Sequence, residues 1–304
     1  MKINHILVDM DPTRDEQPAL TKAIMLAQKF DASIELFLVE HQSALVINSF
    51  LDNDHLQKAI QGYLKSKQRW LDTYISEVVD AKIAVSTDVC WHKPIYEGII
   101  QKAKRCKADL VIKSTHHHPT IHKVFFTPND WQLLKSCPVP ILLAKSDTAS
   151  EYQHIMTAVD PSQSHGKAED MDKIILDTGI EFANQLSAKS HVAHCYEAIG
   201  VELWKEVGVS VQGLETEAFD YKDYMQRLGA THNAQLENLI KNYQFSEENK
   251  HLEAGRPQVI LPEMVDNYNI DLLVMGTSYH SGLIGSTAEK ILDEVRCDVL
   301  AVKA

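Results

Sequence analysis

Short apolar runs alternate along this chain with longer stretches whose apolar positions recur every three or four residues. In the first half, Ile6 to Val8, Ile34 to Val39, Lys82 to Asp88, Leu110 to Ile112 and Val139 to Ala144 read as strands. Helical spacing fills the intervals. It runs from Pro18 to about Phe30, with Ala23, Leu26 and Ala27 on one face, and from about Asp54 to Val79. It resumes at Pro94 with Ile95, Ile99, Ile100 and Ala103, and again at Thr127-Pro128-Asn129-Asp130. Runs that are apolar throughout belong to strands buried on both faces. Strands that alternate with helices build an α/β fold around a parallel sheet.

The second half repeats the first. His154 to Pro161 echoes His5 to Pro12, Gly255-Arg256-Pro257 echoes His92-Lys93-Pro94, and Ile270 to Val274 echoes Ala108 to Ile112. Helical patterns cover Met171 to Leu186 and Tyr221 to Tyr243, with strands at His191 to Tyr196 and Asn249 to Ala254. Two copies of one domain are expected, over 1–147 and 148–304, joined near Ser146 to Tyr152. Cys137 and Cys297 read as equivalent positions before the last strand of each copy. In such folds, sites lie beyond the C-terminal strand ends where the strand order reverses. That places Asp9, Asp160 and Gly276 on the rim.

Near the C-terminus, Leu272 to Met275 leads through Gly276-Thr277 and a loop with Gly282 into Gly285-Ser286-Thr287-Ala288-Glu289. Ser286 and Glu289 have the spacing of a capping box. A helix start there presents amides and a partial positive charge to an anion. The plainer reading is that the glycines only make turns.

The formal charge of −12 argues against a general nucleic-acid binder. The N-terminal apolar run is too short for a secretion signal, and no stretch is long enough for a membrane span. The five cysteines, odd in number and scattered, suit a reducing cytoplasm.

The repeat and its motifs resemble the universal stress protein family in its tandem form, over essentially the whole chain. The residues that carry the resemblance are Phe126 to Pro138, Val159-Asp160-Pro161, Val274-Met275-Gly276-Thr277 and Gly285 to Glu289. The resemblance implies two Rossmann-like domains of the adenine nucleotide alpha hydrolase-like type. Each would be a five-stranded parallel sheet of order 3-2-1-4-5. It also implies a cytoplasmic protein that supports stress survival without established catalysis. Many members bind ATP through a loop of the form G-x2-G-x9-G-[ST], aided by an Asp after strand one. Carried across, Asp160 matches that Asp, Gly276 the first glycine, and Gly285 with Ser286 the last pair. Thr277, Gly282 and Thr287 complete the candidate ligand set.

Two departures matter. Tyr279 stands where the second glycine belongs, and Gly276 to Gly285 spans nine positions where the pattern spans thirteen. A shorter loop offers fewer inward amides to phosphate. ATP is therefore one candidate ligand, and another phosphorylated or partly apolar molecule is its rival. The first copy has no glycine between Lys113 and Thr127 and is expected to lack the nucleotide loop.

His116, His117, His118 and His122 are the metal candidates, with zinc or magnesium the ion if one binds. Neighbouring histidines on a loop point different ways, so an exposed polar loop is the favoured reading. No nucleophile elbow or Walker lysine is present. The leading expectation is a small-ligand binding protein. A nucleotide-hydrolysing or nucleotide-transferring enzyme on the same scaffold is the first alternative, and a protein-interaction module without a small ligand the second. Val139 to Leu143 and Val299 to Val302 are apolar edge strands that would pair the two domains within one chain, and a homodimer is a further option.

Overall fold

The computed structural model describes residues 2–47, 53–117, 124–145, 151–162, 170–198, 200, 221–277 and 285–303. The first half runs β1 (His5–Asp9), α1 (Pro18–Phe30), β2 (Ser33–Glu40), α2 (Ser43–Ile47), α3 (Asn53–Asp72), α4 (Ile75–Asp80), β3 (Val85–Trp91), α5 (Ile95–Cys106) and β4 (Leu110–Ser114). Then come a small hairpin of β5 (His116–His117) and β6 (Val124–Phe125), α6 (Pro128–Ser136) and β7 (Ile141–Ala144). The second half runs β8 (His154–Ala158), α7 (Met171–Leu186), β9 (Lys189–Tyr196), α8 (Tyr221–Ile240), β10 (Lys250–Ala254), α9 (Pro257–Asn267), β11 (Leu272–Gly276), α10 (Ser286–Glu294) and β12 (Asp298–Val302).

Both halves have strand order 3-2-1-4-5, but they do not form separate sheets. One ten-stranded sheet runs β10-β9-β8-β11-β12-β7-β4-β1-β2-β3. All neighbours are parallel except at the centre, where β12 meets β7 antiparallel with Leu300 opposite Leu142. Asp298, fully buried, ties this seam. It accepts from Lys145 N at 2.8 Å and Tyr152 Oη at 2.6 Å, and faces Lys22 Nζ at 3.3 Å. One apolar layer lies on the α1 and α7 side of the sheet, the other on the α5, α6, α9 and α10 side.

The repeat extends to backbone detail. Asp31 and Ser187 end α1 and α7 in the left-handed region, and Lys107 and Asn269 do so after α5 and α9. The long helix expected over Asp54 to Val79 is broken at Thr73. Its hydroxyl donates to the Trp70 carbonyl at 2.6 Å, and the backbone amides of Thr73 and Tyr74 bond three residues back instead of four. Lys82 adopts φ 62°, which delays β3 to Val85.

Two expectations at the ends of helices are corrected. Cys137 is the C-terminal cap of α6, and the matching cap of α10 is Val295, whose amides bond Leu133 and Ile291 respectively. Cys297 is therefore not its counterpart. Ser286 is also not a cap. Gly285 holds that position without a side-chain bond, so Ser286 and Glu289 form no capping box. The capping box lies in the other copy, where Thr127 and Asp130 satisfy each other's amides.

Candidate functional site

Strand register shows what distinguishes the two rims. In the first half Asp9 stands opposite Lys113, at the ends of β1 and β4. Lys113 Nζ lies 2.6 Å from Asp9 Oδ2 and 3.6 Å from Asp130 Oδ1, on the third residue of α6. All three carry little exposed surface. Burial raises the Asp9 carboxyl above its ordinary value against the pull of Lys113, whereas its carboxylate neighbours keep the Lys113 ammonium firmly charged despite burial. This ion cluster stands between the strand ends of the first half. Asp9 stands at the strand end as expected, and its partner there is Lys113, which makes it a structural ion.

In the second half the same three positions are Ala158, Met275 and Ala288. Ala158 stands opposite Met275 in the register, and Ala288 is the third residue of α10. All three line a cavity of about 470 Å³. Such a volume suits a small organic ligand. The cavity opens where β8 and β11 diverge, which is the switch point of this half. Met171 and Ile175 of α7 wall one side, and Leu261 and Ile291 the other. Its polar lining includes Asp160, Ser162, Thr277, Thr287, Glu197 and His232.

Of the residues expected at the site, Asp160, Gly276, Thr277, Gly285 and Thr287 line this one cavity. Ser286 is not part of the lining, and Gly282 lies outside the described residues. Asp160 sits two residues beyond β8, level with Asp11 and not with Asp9. Its amide donates to Asp172 Oδ1 at 3.0 Å, and it accepts from Ser162 Oγ at 2.5 Å. Asp11 is held in the same way by Gln17 and Thr13. Gly276 has a packing role: a Cβ there would stand 2.9 Å from Met171 Sδ and 3.2 Å from Ile175 Cδ1. Thr277 closes the strand end, donating its amide to the Val302 carbonyl at 3.1 Å.

No sequence motif marks His232. It reaches the cavity from α8, stacked on Tyr196 with ring centroids 4.4 Å apart. His194 Nδ1 donates to the Val159 carbonyl at 3.2 Å, so its Nε2 accepts from His232 Nδ1 at 2.9 Å. Burial lowers the pKa of both rings, opposed by the nearby Asp160 carboxylate. Neutral imidazoles result at physiological pH. Cys195 also lines the cavity, but burial and Glu253 push its thiol up to about 12, which makes it a poor nucleophile.

His116 and His117 form β5 of the hairpin, paired with Phe125 and Val124. His118 and His122 lie outside the described residues. The hairpin's second strand rests beside α10 of the other half. Among the described residues no helix is long and apolar enough to cross a membrane.

A family model, the universal stress protein family, matches residues 2–145 and again 151–303. Universal stress protein E of Escherichia coli K12 is 27% identical over 304 residues, covering 98% of this chain and 93% of that protein. Universal stress protein A homolog 1 of Coxiella burnetii is 30% identical over 159 residues, 50% of this chain and 96% of that protein. Among solved structures, a universal stress protein from Archaeoglobus fulgidus DSM 4304 superposes with TM-score 0.68 at 14% identity, covering 100% of this chain and 99% of that one. At that identity the likeness speaks for the fold alone.

Proposed function

From the premise that this chain belongs to the universal stress protein family and carries its domain twice, we propose that it is a cytoplasmic stress-response binding protein. Its second half takes a small, partly apolar ligand and releases it unchanged. The observation that carries this reading is the exchange of Asp9, Lys113 and Asp130 for Ala158, Met275 and Ala288, which leaves a cavity where the first half has an ion cluster. The first half then serves as a scaffold.

ATP remains a ligand to test, yet its fit is partial. In that reading Asp160, on the cavity lining, would meet the ribose or base. The charged side chains among the described lining residues, Asp160 and Glu197, are acidic and oppose a triphosphate. A ligand with an apolar body and one polar end suits Met171, Ile175, Leu261 and Met275 better.

Titration calorimetry with ATP, sugar phosphates and short amphipathic acids tests the reading. So does native mass spectrometry of whatever co-purifies. The double variant Ala158→Asp with Met275→Lys copies the first half's ion pair. Ligand affinity should fall at least tenfold, while the circular dichroism spectrum is kept. Undiminished binding by this variant would place the ligand elsewhere.

The His232–His194 relay supports a second reading, a weak nucleotide hydrolase or transferase with His232 as general base. Labelled ATP turned over by the wild type and not by His232→Gln would favour it.

A further inference from the structure

A separate cluster lies at the opposite ends of the first half's strands. His5 opens β1, Glu35 lies in β2, and Cys106 is the last residue of α5. Their ligand atoms all lie within 4.8 Å of one another.

A hydrogen-bond chain sets the imidazole. Ser33 Oγ donates to the Asn4 carbonyl at 3.2 Å, so its oxygen accepts from His5 Nδ1 at 2.7 Å. In the neutral ring, Nδ1 therefore holds the proton and Nε2 the lone pair. That Nε2 is buried without a hydrogen-bond partner. Glu35 Oε2 faces it at 3.5 Å. The other carboxylate oxygen is held by Lys102, which also bonds Asp88 at 2.8 Å. Two acceptors thus confront each other, with the Cys106 thiol hydrogen-bonded to Glu35 and 3.7 Å from the Ala103 carbonyl, so that no donor is left for His5 Nε2. A buried acceptor left in this way is costly unless something positive enters between them.

The second half supplies a comparison. By strand register and helix end, His5, Glu35 and Cys106 correspond to His154, His191 and Tyr268. There the ring nitrogens meet directly, His154 Nδ1 to His191 Nε2 at 2.9 Å, and His191 passes on to His251 at 3.0 Å. The imidazole pair satisfies itself in one copy, whereas the His5 and Glu35 pair in the other copy does not.

We propose that His5 Nε2, Glu35 Oε2 and Cys106 Sγ bind a zinc ion. One nitrogen, one oxygen and one sulfur ligand suit this metal, with a fourth position left for water. Binding converts the Cys106 thiol to a thiolate and releases its proton to solvent. Ser33 acts as a positioning residue that orients the imidazole.

The test uses the full-length protein, stripped with a chelator and titrated with zinc against a chromogenic competitor. One equivalent should bind, and cobalt should give a thiolate-to-metal charge-transfer band. Cys106→Ala should abolish that band, and His5→Gln and Ser33→Ala should each weaken binding by about 10–100-fold. Zinc should also protect Cys106 of the unaltered protein from alkylation, which needs no variant. Replacing His116, His117, His118 and His122 together with Asn should leave this equivalent in place. No zinc binding, equal binding by Cys106→Ala, or loss in the quadruple variant would overturn the proposal. In the first two cases His5 and Glu35 are simply an ion pair.

Discussion

At the scale of single residues, Lys113 joins an ion cluster in one half where Met275 lines a cavity in the other. Lys113→Met alone leaves Asp9 buried beside Asp130 without its cation and should cost about 3–5 kcal/mol. Adding Asp9→Ala reproduces the second half's pair and should recover most of that loss. Urea midpoints of the three proteins check both statements. A lysine ending the apolar run Leu110-Val111-Ile112 was visible in the sequence, as was a carboxylate ending β1. That they face each other was not, because apolar spacing does not specify pairing between strands far apart in the chain. His191 adds a pH effect. Burial, with His251 and His154 beside it, lowers its pKa from 6.5 to about 4. The unfolded chain therefore binds the proton first as pH falls, and stability should drop between about pH 6.5 and pH 4. Chemical denaturation at pH 7.5 and pH 5 should show this loss, and it should shrink in His191→Asn.

At the scale of elements, helix starts separate what can be read locally from what cannot. Both α6 and α10 begin after a glycine-poor or glycine-bearing loop, and both carry a plausible capping pair in the sequence. Only Thr127 with Asp130 makes the reciprocal bonds, because Thr127 sits outside the helix with extended backbone and Ser286 sits inside it. Thr127→Ala should therefore cost about 1 kcal/mol. Ser286→Ala should stay within about 0.5 kcal/mol of the parent. Thermal melts of the two variants measure the difference. Elements with long apolar periodicity, such as α1, α5 and α7, were legible nearly to the residue. The cavity's contribution from α8 was not, since His232 is an isolated polar position on a mostly polar helix, and only its meeting with His194 gives it meaning.

At the scale of the molecule, the doubling of the domain was evident from the echo of His5 to Pro12 in His154 to Pro161. The merging of two sheets into one depends on edge pairing that no local pattern encodes. The seam joins β7 to β12 and adds the buried bonds to Asp298 from Lys145 and Tyr152, with Lys22 beside it. Cutting the chain within 146–150 should therefore leave the two pieces eluting together on gel filtration. Asp298→Ala in the cut protein should loosen them, because several buried donors lose one acceptor. Pieces that separate at once after the cut would show that the connecting peptide, not the seam, holds the halves.

Strand direction reverses where β7 meets β12. The carboxyl ends of one copy's strands and those of the other therefore occupy opposite borders of a single ribbon. One border carries both the second copy's mouth at Asp160 and, across the four strands between β8 and β1, the strand beginning of the first copy where His5 stands. A macromolecule lying along that border would sense a guest in one copy and an ion at the other within a single footprint. Two identical domains joined in parallel could not offer that combination.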